Sequence, residues 1–372
     1  MSSTNQVATS GRVHSIDALR GFDMFWIVGG DALFVSFLSL FDNPAAQFFN
    51  GQLHHVEWSG FHFYDLIFPL FLFIIGASIP FATGKRLERG DSRRDIFLHI
   101  VKRTATLYIL GLIYYGLFEL KFDQLRFGGV LQRLALGYFF ASIIFMNFKV
   151  KWQIGISAAI LLIYWAILAL IPAPGCEAGS FDPSCNLGAW FDNNIVPGKL
   201  HTYGLFTGDS TSLFSTPTAV VSTMIGVLCG QWLKSNETGT RKTLGLVIAG
   251  ISSIVIAYIW GTVFTINKFL WTSTYVMLAG GWSMLLLAAF YWIIDVKGYR
   301  RWAFPFTVIG MNAIAIYLAS RFINFEELAF IFIQGIVRYT GDFTATFTAL
   351  SILAVKWLLF YYLYRQKIFI KV

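Results

Sequence analysis

Charge is scarce in this chain. Only 13% of its 372 residues are Asp, Glu, Lys or Arg, about half the share of a soluble domain. With 56% of the residues hydrophobic, a water-soluble fold of this size has too little polar surface to cover itself. Acids are fewer than bases, 20 against 28, giving a net charge of +8. No basic run is interleaved with aromatics, so a nucleic-acid surface is excluded, and the excess fits basic loops on one side of a membrane. Cysteine is nearly absent. The three residues have no zinc-type spacing with histidine. Cys229 lies in an apolar run and reads as a small hydrophobe. Cys176 and Cys185 share a loop in which an oxidising compartment permits a disulfide. No internal repeat is visible, which argues against an inverted-repeat transporter. A cleavable signal is missing too. Residues 1–11 are short and polar, and the next apolar stretch carries Asp17, Arg20, Asp23 and Asp31 without a small-residue cleavage pattern.

Long apolar runs are plentiful. A spanning helix needs roughly 20 mostly apolar residues. The sequence offers ten, at 16–40, 62–83, 97–118, 129–147, 153–171, 214–233, 243–264, 271–294, 303–322 and 344–364. Phe, Trp and Tyr make up 18% of the chain and suit lipid contact and interfacial belts. Segment 326–338 is apolar but short, which fits a re-entrant or interfacial element or a partial eleventh span. The expected fold is therefore an all-α polytopic bundle of about ten spans. It forms one domain over 1–372, with an extracytoplasmic insertion at 172–213 rich in turn-forming Pro and Gly.

Lysine and arginine give the orientation. One set of span ends holds Arg12, the cluster from Lys85 to Arg94, Lys102, Arg103, Lys149, Lys151 and Lys234. It continues through Arg241, Lys242, Lys297, Arg300, Arg301, Arg365, Lys367 and Lys371. The opposite ends hold mainly Lys121, Arg126, Lys199 and Lys268. Both termini are predicted to be cytoplasmic, with 42–61, 119–128 and 172–213 facing outward.

Ionisable residues inside spans are costly and mark candidate sites. At 100° per residue, with Arg20 at zero, Asp17, Asp23 and Asp31 fall at about +60°, −60° and +20°, one stripe of the first span. Arg20 is positioned to neutralise Asp17 and Asp23 as a structural network. Asp31, about 16 Å further along, has no local partner and is a functional candidate. A second cluster lies in Gln52–Leu53–His54–His55–Val56–Glu57–Trp58, followed by His62 and Asp65. Histidine exchanges a proton near neutral pH, which suits general-base or nucleophilic work. His54 and His55 are adjacent and lack the i, i+4 spacing of helical zinc sites, so no metal is assigned. A polar loop at a membrane surface is the plainer alternative. Asp65 opens the second span and is expected to orient a neighbour. Gln132 and Arg133 open the fourth span after Gly128–Gly129. Arg133 needs an anionic partner there, either Asp31, Asp65 or a ligand phosphate or carboxylate. Asn312 lies mid-span, with Arg321 near the outer end of the same helix, and both are expected to line a common cavity. Trp58 suits stacking on a sugar ring or an interfacial belt.

These residues resemble a known family. Arg12–Val13–His14–Ser15–Ile16–Asp17–Ala18–Leu19–Arg20–Gly21 is similar to the opening motif of heparan-α-glucosaminide N-acetyltransferases and their bacterial relatives. His55–Val56–Glu57–Trp58–Ser59–Gly60 resembles the family's H-x-x-W-x-G, and Asp65–Leu66–Ile67–Phe68–Pro69 with Phe73–Ile74–Ile75–Gly76 resembles its next motif. Gly129–Val130–Leu131–Gln132–Arg133–Leu134 is similar to G-V-L-Q-R-L. Pro172 to Cys176, Asn267 to Trp271, Asp295 to Gly298 and Gly310–Met311–Asn312 follow in the family's order.

The resemblance implies a transmembrane acyltransferase of compact bacterial form in the inner membrane, without an added luminal domain. It implies an acetyl group moved from cytoplasmic acetyl-CoA to an amino sugar across the membrane. The family histidine carries over to His55. An asparagine of the family aligns with Asp31, a departure that adds a proton acceptor. On this reading His55 and Asp31 are catalytic, with Asp31 holding the imidazole tautomer. Arg20, His54, Trp58, Asp65, Gln132, Arg133, Asn312 and Arg321 bind substrate or cofactor. The implied partners are membrane lipids, acetyl-CoA, a saccharide acceptor and, by analogy, a second copy. The rival is a transporter or flippase for a sugar or lipid-linked precursor, which explains the buried charges but not the histidine loop.

Overall fold

The computed structural model describes residues 13–120, 122 and 125–370, so the orientation charges Arg12, Lys121 and Lys371 lie outside the described residues. Within them the chain is helical, and no strand forms. Nine helices are long and apolar enough to cross a membrane: His14–Leu38, Phe63–Glu88, Arg93–Tyr114, Val130–Asn147, Val150–Leu170, Leu213–Lys234, Gly239–Gly261, Ser273–Val296 and Gly341–Arg365. A tenth is a pair, Arg301–Met311 and Ala313–Phe322, bent by 62°. These match the ten apolar runs of the sequence. Helix Phe325–Val337 has 13 residues and is too short to span.

The spanning segments comprise α1 (His14–Phe25), α2 (Asp31–Leu38), α4 (Ile67–Glu88), α5 (Arg93–Tyr114), α6 (Val130–Asn147) and α7 (Val150–Leu170). They continue with α9 (Thr216–Lys234), α10 (Gly239–Gly261), α11 (Ser273–Tyr291), α12 (Phe304–Met311), α13 (Ala313–Phe322) and α15 (Thr344–Arg365). Shorter helices α3 (Pro44–Gln52), α8 (Leu187–Ile195) and α14 (Phe325–Val337) complete the set. Polar side chains start many of them. Asn43, Ser92, Asn186, Thr238 and Thr272 accept a hydrogen bond from the backbone N–H of the third residue after them, satisfying a donor the helix leaves unpaired. The first helix borrows its cap. The Asp295 carboxylate accepts from the His14 and Ser15 N–H groups at 3.2 and 3.0 Å, tying the chain start to the end of α11.

Two breaks shape the middle of the bundle. Between α1 and α2 the chain makes a wide π turn over Trp26–Gly30, with Gly29 at φ 133°. That break strands the Val28 carbonyl, and Lys356 of α15 donates to it at 2.6 Å. The α12–α13 bend sits at Asn312. Its amide donates to the Ile368 carbonyl at 3.2 Å and accepts from the Ile370 N–H at 2.9 Å, which pins the C-terminal tail into the bend. A backbone that leaves the helical ladder inside a membrane must be satisfied in this way.

Asp23 departs from expectation. Arg20 bonds Asp17 at 3.2 Å and Ser78 at 2.8 Å, but Asp23 is fully buried and neither of its oxygens has a hydrogen-bond partner among the described residues. A paired buried charge loses about 3–5 kcal/mol when its partner is removed. A carboxyl without a hydrogen-bond partner has no such bond to lose. Asp23→Asn is therefore expected to leave the melting temperature in detergent nearly unchanged, within about 1 kcal/mol of wild type. A large drop would show that Asp23 is an ion-paired carboxylate.

One end of the bundle carries the longer loops. They are knitted together by isolated bridges pairing Ser59 with Asn267 and Arg126 with Gly198. The 172–213 segment folds over this loop face, closed on itself by a Cys176–Cys185 disulfide and by α8. Cys229 is buried and unbonded.

Candidate active site

His55 stands in the loop between α3 and the second span. That loop is short and folds back on itself. Gln52 accepts from the Phe63 N–H at 3.1 Å, and the His62 ring donates to the His54 carbonyl at 3.0 Å. Its hub is Asp65, in the single turn of 3-10 helix Phe63–Leu66 that leads into α4. The Asp65 carboxylate is fully buried and accepts from the His62 and Val56 N–H groups at 3.0 and 3.4 Å. Its remaining capacity goes to side chains. One oxygen lies 2.8 Å from His55 Nδ1 and 3.3 Å from Lys268 Nζ.

Lys268 completes the site. It projects from the 262–272 turn, held by Asn267, whose amide donates to the Trp58 carbonyl at 3.0 Å and accepts from the Leu270 N–H at 2.9 Å. The ammonium is 2.8 Å from His55 Nδ1 and 2.9 Å from Nε2. An ionised carboxylate only accepts and an ammonium only donates. We therefore assign the Nδ1 proton to the Asp65 bond, which leaves the Nε2 lone pair facing Lys268. Burial lowers the pKa of His55, and the Lys268 ammonium adds to this against the pull of Asp65. The imidazole is thus neutral at pH 7. Burial also brings the Lys268 ammonium down to about 8, against the pull of Asp65.

His55 and Lys268 open onto a cavity of about 360 Å³. Tyr64, His201, Tyr203 and Arg126 line its polar end, and Met24, Phe71 and Leu134 line its apolar depth within the bundle. The floor at Met24 lies about 15 Å along the first helix from His14. The cover is rigid. Arg126 reaches Asp209 through two nitrogens, with further bonds to Tyr115 at 3.0 Å and Thr211 at 2.6 Å. A fixed imidazole whose Nε2 lone pair faces a displaceable cation, with an apolar recess below, suits acyl transfer: a base or nucleophile, a charge for an oxyanion, and room for an acyl carrier.

The other sequence candidates are distributed more widely. Asp31 does not touch His55. It accepts from the Tyr64 hydroxyl at 2.8 Å, and the Tyr64 ring packs 4.8 Å from the imidazole, so Asp65 occupies the position expected of Asp31. Arg133 meets neither Asp31 nor Asp65. It donates to the Ser212 carbonyl and, at 2.7 Å, to Ser215, with its guanidinium 4.7 Å from the Trp271 ring. Gln132 donates to the Arg126 carbonyl at 3.1 Å and so holds the cavity rim. His54 is exposed and donates to the Asn50 carbonyl, away from the cavity. Trp58 packs against Phe206 and Phe269, which also touch each other, and its Nε1 donates to the Phe181 carbonyl at 2.7 Å, so it is held in the loop core and does not line the cavity. Asn312 serves the helix bend and Arg321 bonds the Tyr114 carbonyl at 3.4 Å, so they line no common cavity. Arg20 sits in the first span beside Asp17 and Ser78, outside this cavity. Among the described residues no group of three His, Cys, Asp or Glu is arranged to hold a metal. In the sequence Lys268 reads as an outer charge and as part of the family-like segment Asn267 to Trp271, with no role at the site. Its signal was its setting, a lone cation flanked by Asn267 and the apolar run Phe269–Trp271.

Comparison with known proteins places this geometry in context. A family model described as a domain of unknown function (DUF5009) matches residues 12–173. The chain is 26% identical over 416 aligned positions to a protein of Homo sapiens named heparan-alpha-glucosaminide N-acetyltransferase, covering 97% of this chain and 60% of that one. It is 28% identical over 319 positions to the protein of the same name from Mus musculus, covering 71% of this chain and 48% of that one. The chain thus spans about half to three fifths of the length of the curated relatives it matches.

Proposed function

We propose that this homologue of the heparan-alpha-glucosaminide N-acetyltransferases is itself a transmembrane acyltransferase. Its reaction moves acetyl from acetyl-CoA to the amine of a glucosamine-type saccharide. The observation that carries the reading is the Asp65–His55–Lys268 cluster at the mouth of an apolar recess. The basic span ends are assigned to the cytoplasm and the loop face to the far side, in a bacterial inner membrane. The donor then approaches from the basic face and the acceptor from the loop face.

The chemistry balances on residues of this chain. Asp65 holds the imidazole so that Nε2 accepts a proton from the acceptor amine as nitrogen attacks the thioester carbonyl. Lys268, displaced from Nε2 by the incoming group, donates to the carbonyl oxygen as it becomes an oxyanion. Collapse expels the CoA thiolate, and His55 returns its proton to the sulfur. The products are an N-acetyl sugar and free CoA thiol. If Nε2 attacks first, an acetyl-imidazole forms and CoA leaves before the amine binds. A burst of thiol release without acceptor identifies this second order of events.

Sealed vesicles holding the purified protein test the sidedness and separate enzyme from carrier. Acetyl-CoA supplied on the basic face and glucosamine on the loop face are expected to give acetylated sugar on the loop face. Glucosamine crossing without acetyl-CoA, or without being acetylated, is the outcome that establishes a carrier instead.

A further inference from the structure

The cavity mouth carries a tyrosine ring with open surface. Tyr203 is 40% exposed and lines the cavity together with His55. It is the outermost plate of a ring stack. Tyr203 lies on Phe269 at 5.6 Å and 24°, and Phe269 lies on Trp58 at 5.6 Å and 9°. Phe269 is buried, and Phe206 packs against both Phe269 and Trp58. The plate is rigidly mounted. Phe206 N–H donates to the Tyr203 carbonyl at 3.1 Å across a tight turn, with Gly204 at φ 57°, and the Phe206 ring anchors that turn in the core. The Tyr203 ring meets the His55 ring at 5.7 Å and 77°.

A saccharide ring has an apolar face of C–H groups and a polar edge. A fixed aromatic ring matches that face, and the hydroxyl at the rim of a tyrosine matches the edge. Trp58, the sequence candidate for this work, does not line the cavity, whereas Tyr203, the exposed end of the same stack, lines it beside His55. The imidazole is 5.7 Å from the Tyr203 ring, so it neighbours whatever that ring holds.

We propose that Tyr203 is the stacking plate for the acceptor, a cyclic amino sugar, and that it positions the acceptor amine against His55. This rests on the acyltransferase reading above. Tyr203 acts through contact with the non-reacting ring, so it is a positioning residue. Its loss is expected to weaken ring acceptors selectively.

The test compares glucosamine with 2-aminoethanol, an amine without a ring, in the purified full chain. Tyr203→Leu keeps apolar bulk against Phe269 and removes the plate, whereas Tyr203→Trp keeps a plate. The leucine variant is expected to raise KM for glucosamine about tenfold while KM for 2-aminoethanol changes far less. The tryptophan variant is expected to stay close to wild type for both. An unchanged glucosamine KM in Tyr203→Leu overturns the plate while leaving the acyltransferase reading intact, and so does an equal loss for both amines. If the wild type acetylates nothing, the acyltransferase reading has failed. Saturation-transfer NMR of methyl glucosaminide on wild type and Tyr203→Leu then judges the plate alone. Binding to wild type that Tyr203→Leu loses supports it, and equal or absent binding overturns it.

Discussion

His55→Ala is expected to abolish acetyl transfer, with a loss of at least about a thousandfold, within the range that a positioned acid–base group supplies. The alanine removes the proton acceptor and the imidazole that bonds Asp65 and Lys268 at the cavity mouth. Asp65→Asn is expected to follow closely, by about a hundredfold or more, because an amide no longer fixes the proton on Nδ1. Asp31→Ala is expected to cost less than either, since Asp31 reaches the imidazole only through Tyr64. The pH profile carries a second signature. On the acid side activity falls as His55 takes up a proton, at a pH below the ordinary imidazole value, because burial and Lys268 lower its pKa. On the alkaline side it falls near pH 8 as Lys268 loses its proton. Lys268→Met removes the alkaline limb and shifts the acid limb upward, since the neighbouring positive charge is gone. Its maximal rate drops about a hundredfold through loss of the oxyanion donor. An alkaline limb that persists near pH 8 in Lys268→Met would assign it to another group.

Gly76→Val is expected to damage the fold severely. A Cβ at Gly76 would lie 1.9 Å from the Thr223 carbonyl oxygen, and one at Gly226 would lie 2.0 Å from the Phe73 carbonyl oxygen. The obstacles are backbone atoms, so no side-chain rotation relieves them. Helices α4 and α9 touch main chain to main chain, the close approach that small residues permit between membrane helices. Valine forces them apart by more than an ångström and should cost upwards of about 3 kcal/mol. Helix α4 continues directly from the turn bearing Asp65, so the site is disturbed as well. In detergent the variant should melt well below wild type or fail to accumulate. Gly155→Val is the matched control, because nothing lies within 4 Å of a Cβ there. Equal melting of the two variants would contradict the backbone contact.

The bundle was legible in the sequence because spanning segments write themselves as apolar runs, and lipid allows few alternatives to a helix. The breaks inside those runs were not. Gly29 and Asn312 look like ordinary polar or small interruptions until Lys356 is seen bonding the Val28 carbonyl freed at the first break and the C-terminal tail bonding Asn312. At the site, His55 and Asp65 stood out as the ionisable residues flanking the second span, but their pairing depends on a loop that folds back over ten residues. Angular arithmetic along one helix favoured Asp31 and had no means of seeing that fold. Arg133 was expected to meet an anion, either Asp31, Asp65 or a ligand phosphate or carboxylate, yet its protein partners are the neutral Ser212 carbonyl and Ser215 hydroxyl, which charge matching overlooks. Lys268 lies 213 residues from His55, and only the tertiary fold joins them.

The most direct measurement uses purified wild-type protein and His55→Ala with labelled acetyl-CoA and glucosamine, following CoA thiol and N-acetylglucosamine together. The wild type is expected to form the two in equal amounts, and His55→Ala to form neither above background. Labelled sugar formed at wild-type rate by His55→Ala, or no labelled sugar from the wild type, would contradict the account.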